Sequence, residues 1–505
     1  MSCRQLTRAS AGWMLDRALP SAQLAASALR SATARDCGHR RLHIGRAAAA
    51  AAVHATHTPA AAAALAQHGY HISSAMDAGN IEVVGVSDGG KAIDLNIRPD
   101  PYCETDKRAH YQWFHFKLAG VAGRELSLRL LNAGGASYGP GWEGYQACAS
   151  HDLEDWYRVP TAYDAASGVV TITHQPGAAD VVHYAFFAPY SLDRHAALLG
   201  RLQRAALPAG GPAAGGSAGG SAGPAAPVRV RVLGSTIDGR DIDLVQVGPS
   251  TSASPPPSNG TAPLLRVWVV ARQHPGESMA SWFAEGLLER LTDPQDGVAR
   301  RLLEKAVFYV VPNCCPDGSF RGHLRTNAAG VNLNRTWADP HPAISPESFH
   351  VRNEMDRTGV DLFLDVHGDE ELPHVFVVGN NGIPAWGPRL EGLQAAFCDA
   401  FKRHAPEFQT AKGYPLDVAN TANMGIASKQ IGQRFGCLAL TLEMPFKDSA
   451  DLPDPRVGWS GGRAKRLGAA VLGAILEVAP QLRGACSAVE CVEAGYSVRG
   501  PRSEC

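Results

Sequence analysis

One stretch constrains this chain more than any other: residues 264–277, LLRVWVVARQHPGE. The apolar, β-branched run from Leu264 to Ala271 reads as a buried strand. It stops at Arg272 and Gln273, and His274 and Glu277 follow at once in a Pro-Gly turn. Open α/β sheets place their chemistry where buried strands deliver side chains past their C-terminal edges. The H-x-x-E spacing suits two ligands of one metal, because imidazole nitrogen and carboxylate oxygen both bind Zn²⁺. Alone, the motif is weak. The chain holds 19 His, and the pattern recurs at His151/Glu154 and His367/Glu370, so a solvated polar turn is the ordinary meaning of any single match. Strand context sets the second match apart.

The rest of the composition narrows the field. A chain of 505 residues with 45% hydrophobic content has room for two or three domains with real cores. Its formal net charge of −1 recommends neither nucleic acid nor an anionic membrane as partner. No apolar run approaches the roughly 20 residues that span a bilayer. Eleven scattered Cys without a C-x-x-C pair indicate free thiols in a reducing compartment and argue against a Cys-ligated zinc.

Along the chain, residues 1–69 are expected to be a disordered leader. Its Arg-rich, Ser-rich, acid-poor texture suits an organellar (plastid or mitochondrial) transit peptide, or equally an alanine-biased N-terminus without an address. Residues 70–188 carry short β-rich stretches at Ile81–Val86, Ala92–Ile97, Tyr111–Leu118, Glu125–Leu131, Gly168–Thr173 and Val181–Phe187. Turn residues separate them, which predicts an all-β antiparallel sandwich. Its aromatics (Trp113, Phe114, Phe116, Trp142, Trp156, Tyr157) are expected in the core rather than on a binding face.

Residues 189–483 form the expected catalytic domain. A helix over 190–203 should bury Leu192, Ala196, Leu199 and Leu202. A flexible Gly/Ala insertion follows at 205–227, a second such loop occupies Ser250–Ala262, and residues 484–505 form a disordered tail. Strands at Val228–Leu233 and Asp241–Val247 flank the Asp238-Gly239 turn. Buried strands at 264–271, 306–312, 360–366 and 438–442 alternate with helices near 278–291, 349–358, 388–403, 422–434 and 462–483. This pattern predicts an α/β domain with a mixed, mostly parallel central sheet covered by helices on both faces.

Four residues stand just beyond strand ends or in their turns: His274, Glu277, His367 and Glu443. Two His and one carboxylate are a standard protein complement for a catalytic zinc, leaving one position for water. A further carboxylate must then take the proton from that water. Between these motifs lie Arg325-Thr326-Asn327 and Asn332-Leu333-Asn334-Arg335. An Asn-Arg pair suits bidentate capture of a carboxylate.

The order HPGE, RTN…NLNR, DVHG, TLEMPF resembles the M14 family of zinc carboxypeptidases. It is closest in texture to the cytosolic carboxypeptidase branch, which includes protein deglutamylases and carries a β-sandwich before the catalytic domain. The stretches YQWFHF (111–116), YSLDRHAALL (190–199) and Ser345-Pro346-Glu347 resemble that branch too, and the likeness covers about 75–483. The resemblance implies one Zn²⁺ held by His274, Glu277 and His367, with Glu443 as general base. Asn334 and Arg335 would hold the substrate's C-terminal carboxylate, and Arg325 would stabilise the developing oxyanion. Two departures stand out. Asn332 occupies a position where many members have Asp, and no Tyr stands near 421–423, where pancreatic-type enzymes have one.

In the wider family the floor of the side-chain pocket lies near Ser428 and Lys429. There Lys429 or Arg434 would favour an acidic C-terminal residue, or either would be a solvated helix residue. The resemblance thus implies a cytosolic metallocarboxypeptidase acting on peptide or protein C-termini, polyglutamylated tails among them, with no nucleic-acid or membrane partner. Two alternatives remain. One is a zinc amidase or deacylase acting on small N-acyl amino acids, which a roofing β-domain disfavours. The other is an inactive binding protein on the same scaffold, which the complete set of His274, Glu277, His367, Glu443 and Arg335 disfavours.

Overall fold

The structure is a computed structural model describing residues 58–103, 109–205, 227–249 and 263–483. The expected leader up to residue 57, most of the 205–227 insertion, the 250–262 loop and the 484–505 tail lie outside those residues.

The leader expectation needs one correction: α1 (Pro59–Gln67) is an ordered helix. Thr58 caps it through a hydrogen bond from the Ala61 N–H, and Pro59 sits in its first turn, where a missing N–H costs nothing. Ala61 and Leu65 are buried in the core. An alanine tract that reads as low complexity is therefore a helix with one apolar edge to bury.

Ten strands then build the β-domain: β1 (His71–Ser73), β2 (Glu82–Ser87), β3 (Ala92–Asn96), β4 (His115–Ala119), β5 (Leu126–Leu130), β6 (Ala147–Ser150), β7 (Tyr157–Val159), β8 (Thr161–Asp164), β9 (Val169–His174) and β10 (Val181–Ala185). They form two five-stranded sheets in the orders β1-β4-β10-β6-β7 and β2-β3-β5-β9-β8. The pairs are antiparallel except β3 with β5, which run parallel from Ala92↔Ser127 onward. Trp113, Phe114, Phe116 and Trp142 are at most 2% exposed, so these aromatics are core. Phe186 continues this core into the next domain, stacking on Phe446 with ring centroids 4.7 Å apart.

The helix α2 (Leu192–Ala205) buries His195, Leu198, Leu199 and Leu202 and leaves Ala196 exposed. Its inward face is thus rotated from the expected one. The reason is polar: His195 is held 2.9 Å from Asp243, which turns the 195/198/199/202 stripe toward the protein.

The catalytic domain is a seven-stranded sheet ordered β11 (Val228–Ser235), β12 (Asp241–Val247), β14 (Ala306–Val311), β13 (Leu265–Ala271), β15 (Leu362–Val366), β17 (Leu438–Glu443) and β16 (Phe376–Val378). The four central strands β14, β13, β15 and β17 are parallel, and the outer pairs are antiparallel. Helices α3 (Met279–Leu291), α4 (Gly297–Leu303), α5 (Pro316–Arg321), α6 (Pro346–Thr358), α7 (Pro388–His404), α8 (Ala427–Phe435) and α9 (Gly461–Val478) accompany it. Helices α3 and α9 cross at backbone contact: a Cβ on Gly286 would lie 2.0 Å from the Lys465 carbonyl, and one on Gly468 would lie 2.0 Å from that of Phe283. The crossing is pinned by Glu285, whose carboxylate, 1% exposed, takes Arg194 at 2.9 Å and Lys465 at 3.0 Å. No helix among the described residues is long and apolar enough to cross a membrane.

The register fixes the site. Ala271, Val366 and Leu442 lie in one row across β13, β15 and β17. The side chains that follow this row, from 272 onward, at 367 and at 443, therefore leave the sheet together at its C-terminal edge.

Candidate metal centre

His274, Glu277 and His367 converge, all three buried, with one ligand atom from each within 4.8 Å of the others. His274 Nδ1 lies 2.6 Å from Glu277 Oε1, and His367 Nδ1 lies 2.8 Å from Glu277 Oε2. The two Nδ1 atoms are 3.2 Å apart. Of the three H-x-x-E pairs, only the second closes in this way. His151 turns to Tyr157 on the surface, and Glu154 pairs with Arg194.

Each ring has further partners behind it, at its Nε2. Asn332 Oδ1 accepts from the Asn334 N–H at 3.0 Å, which fixes it as the oxygen, and it lies 3.1 Å from His274 Nε2. Asp365 Oδ2 stands 3.0 Å from His367 Nε2. The Asn332 acceptor places the His274 proton on Nε2 and its Nδ1 lone pair inward, while His367 Nε2 faces the Asp365 carboxylate together with the side-chain amides of Asn334 at 3.3 Å and Gln273 at 3.5 Å. Two imidazole Nδ1 atoms and a carboxylate then face one another across 2.6–3.2 Å. Such a cluster calls for a cation, and zinc at about 2.0–2.1 Å from each nitrogen gives a ligand–ligand edge of roughly 3.3 Å. The donor set fits zinc.

Electrostatics couple the three groups. Burial would raise the Glu277 pKa, but the two imidazoles hold it well below the carboxylate range. Burial opposes a charged His367, yet Asp365 and Glu277 together push it well above the usual imidazole value. His274 goes the other way, down to about 3, through burial and the nearby Arg325 guanidinium.

Glu443, which ends β17 rather than lying beyond it, is 7% exposed, and its Oε2 has no hydrogen-bond partner. Burial, then the charges of Glu277, Asp369 and Asp365, lift its pKa well above normal against the pull of His367. Arg325 projects from the turn after α5, its guanidinium 5.7 Å above the ring of Tyr138 from the β-domain. Asn334 is held with its Oδ1 accepting from Ala427 N–H at 2.8 Å and its Nδ2 3.3 Å from His367 Nε2. Arg335 is exposed and donates to the Asn334 carbonyl at 2.8 Å.

The two expected pocket cations part company. Lys429 is 3% exposed, so it is not a solvated helix residue. Its ammonium pairs with Asp417 at 2.6 Å and donates to the carbonyls of Gly379 and Asn381. Arg434 is bound in a surface pair with Asp356 at 2.6 Å, and none of its hydrogen bonds reaches the cluster. Five residues on one helix, about 140° around its axis, separate the two fates.

Several neighbours escaped the sequence reading. Asp365 was legible in principle, since residues two apart in a strand share a face, and Asp365 and His367 flank the end of β15. Gln273 links Asp365 to Trp337, donating to one at 2.7 Å and accepting from the other at 2.7 Å. Tyr414 donates its hydroxyl to Asp369. Burial and the charge of Glu443 push the Tyr414 pKa well up, so a tyrosine stands near Glu443 after all, from seven residues before the stretch expected to hold one. Glu370 is 6% exposed, and burial with Glu277 and Asp369 raises its pKa well above normal. Nothing local in the sequence marks Tyr414 or Tyr138.

A His-x-x-Glu turn, a His and a Glu on adjacent parallel strand ends, behind a β-domain, define the class: a metallocarboxypeptidase. Residues 225–447 match the family described as zinc carboxypeptidase, and residues 72–187 match the cytosolic carboxypeptidase N-terminal domain. The chain belongs to the M14 zinc carboxypeptidase family. It is similar to a protein of Zymomonas mobilis, 41% identical over 411 residues that cover 81% of this chain and 97% of that one. Metallo-carboxypeptidase structures from Burkholderia cenocepacia and Pseudomonas aeruginosa, the latter in complex with (2-guanidinoethylmercapto)succinic acid, are each 44% identical with TM-score 0.71. They cover 81% and 82% of this chain and 98% and 100% of their own. Human cytosolic carboxypeptidase 4 is 28% identical over 57% of this chain, which spans 27% of the human protein's length.

Proposed function

We propose that this metallocarboxypeptidase uses one zinc ion, held by His274, Glu277 and His367, and prefers acidic C-terminal residues, including those of polyglutamylated tails. The observation that carries the metal reading is the convergence of two imidazole Nδ1 atoms and a carboxylate on one point. When bound, zinc supplies Lewis acidity toward the scissile carbonyl and toward water.

The chain's own residues do the rest. Glu443, buried and with an unpartnered oxygen, takes the proton from the attacking water and returns it to the leaving amine. Arg325 donates to the oxygen on which charge develops, where loss of one such donor typically costs about 10²–10³ in rate. Asn334 and Arg335 bind the substrate's terminal carboxylate. The succinic acid portion of the compound bound to the Pseudomonas relative is the kind of group such a pair receives.

Lys429 supports the acidic preference. Its only carboxylate partner among its described contacts is Asp417, on a loop and 23% exposed, and an incoming acidic side chain would take over that role. We assign the activity to the cytosol, in line with the relatives' names and with described cysteines that are all free thiols.

The test is release of the last residue from peptides ending in Glu, Asp, Leu or Lys, by wild type, Glu443→Gln and Lys429→Ala, with zinc and with a chelator. Chelator-sensitive release of Glu, abolished in Glu443→Gln and weakened relative to Leu in Lys429→Ala, is expected. Preferential release of Leu or Lys would overturn the acidic preference. No release from any peptide, with turnover of N-acyl amino acids instead, would overturn the peptidase reading of this site.

A further inference from the structure

The turn that presents Arg325 is seated on a single carboxylate from the other domain. Asp100, 5% exposed, lies in the segment after β3 of the β-domain. Its Oδ1 accepts from the Leu324 N–H at 2.7 Å, and its Oδ2 accepts from the Arg325 and Thr326 N–H groups, both at 2.9 Å. The Thr326 hydroxyl donates to the same Oδ2 at 3.0 Å. Three successive amides and a hydroxyl thus converge on two oxygens. The seat is close: Gly330, at φ +73, packs so tightly that a Cβ there would lie 2.2 Å from the Tyr102 carbonyl. The same domain supplies the Tyr138 ring beneath the guanidinium.

We infer that Asp100 is a positioning residue for catalysis: it sets the backbone from which Arg325 reaches the reacting carbonyl. The inference rests on the reading of Arg325 as the oxyanion donor. Backbone N–H groups bonded to a carboxylate are charge-assisted and stronger than neutral bonds. Asn cannot replace it, because one of its two terminal atoms would turn an N–H₂ toward donors. A guanidinium on a long side chain is useful in the transition state only if its origin is fixed, since a displacement of about 1 Å costs on the order of 10²-fold in rate. The β-domain is in this sense part of the active site, although none of its residues need touch the reacting atoms.

The test compares Asp100→Asn, Arg325→Ala and the double variant as full-length, zinc-loaded protein below its unfolding temperature. Zinc content and peptide KM are measured beside kcat. Asp100→Asn is expected to lower kcat about 10–100-fold, with KM within about threefold and zinc content unchanged. In the Arg325→Ala background it should add nothing, because the group it positions is gone. Multiplicative losses, or a folded Asp100→Asn enzyme at wild-type kcat beside a slow Arg325→Ala, would overturn the inference. A wild-type kcat in Arg325→Ala would overturn the oxyanion reading itself, and the positioning role with it. If Asp100→Asn does not fold, Thr326→Val removes one of the four donors and keeps the shape. It should lower kcat about 2–5-fold, again without effect on top of Arg325→Ala. An additive or absent effect there would count against Asp100.

Discussion

The Nδ1 atoms of His274 and His367 face each other at 3.2 Å, each ring turned by an acceptor behind it: Asn332 for one and Asp365 for the other. The two backings differ in charge. A carboxylate makes the opposite ring nitrogen a better donor to a metal, whereas a neutral amide oxygen orients the ring without enriching it. Asn332→Asp should therefore tighten zinc, by about 10-fold, while still accepting from the Asn334 N–H. Competition with a zinc chelator of known affinity checks this, and unchanged or weaker binding would refute it.

Zinc should also stabilise the fold. The folded chain brings the two imidazoles and Glu277 together, and the unfolded chain offers no assembled site. At a free zinc concentration about 100 times Kd, the gain is about 2.7 kcal/mol. Denaturant unfolding with zinc and with a chelator measures it. His367→Ala should lose most of that increment, and retention of the full increment would place the stabilising ion elsewhere.

Asp417 and Lys429 form a pair that serves stability and specificity in opposite directions. Asp417→Asn leaves a buried ammonium with only carbonyl partners and should cost about 1–3 kcal/mol, at the low side for a buried pair because Asp417 is partly exposed. It also frees that ammonium for an acidic substrate side chain. KM for Glu-ended peptides should fall by about fivefold, the equivalent of ~1 kcal/mol, with Leu-ended peptides unaffected. A parallel change for both peptides would detach Lys429 from the specificity pocket.

Glu347 gives the stability a pH dependence of its own. Burial lifts its pKa to about 7, and the Asn327 side-chain amide, 3.2 Å away, does not offset it. The unfolded value is the ordinary one near 4.5, so between these pH values the folded state holds more protons than the unfolded state. Stability therefore falls as pH rises from about 4.5 to 7, by about 3 kcal/mol, and levels off above. Glu347→Gln should flatten that slope in a pH series of denaturant midpoints.

How much of this was legible in the sequence follows from the range of the forces involved. Alternation of β-branched runs and helical periods comes from local sterics and burial, so the four central strands stood near their expected bounds. Because parallel strands end at the same edge as their neighbours, the motif residues at 274, 277, 367 and 443 could be expected along one edge of the sheet, and His274, Glu277 and His367 do converge there. The α1 helix and the rotated face of α2 were not, because an alanine tract and a buried His195–Asp243 pair depend on what lies opposite. Packing alone separated Lys429, drawn inward, from Arg434, left on the surface. The sequence by itself determined that His274, Glu277 and His367 would stand as candidate ligands at strand ends, since residue type and strand position are local properties. The tertiary structure decided which acceptors stand behind them, which tyrosine approaches Glu443, and that Asp100, 225 positions before Arg325, seats the turn that carries it. Those contacts join segments distant along the chain, and only the folded register brings them within hydrogen-bond reach.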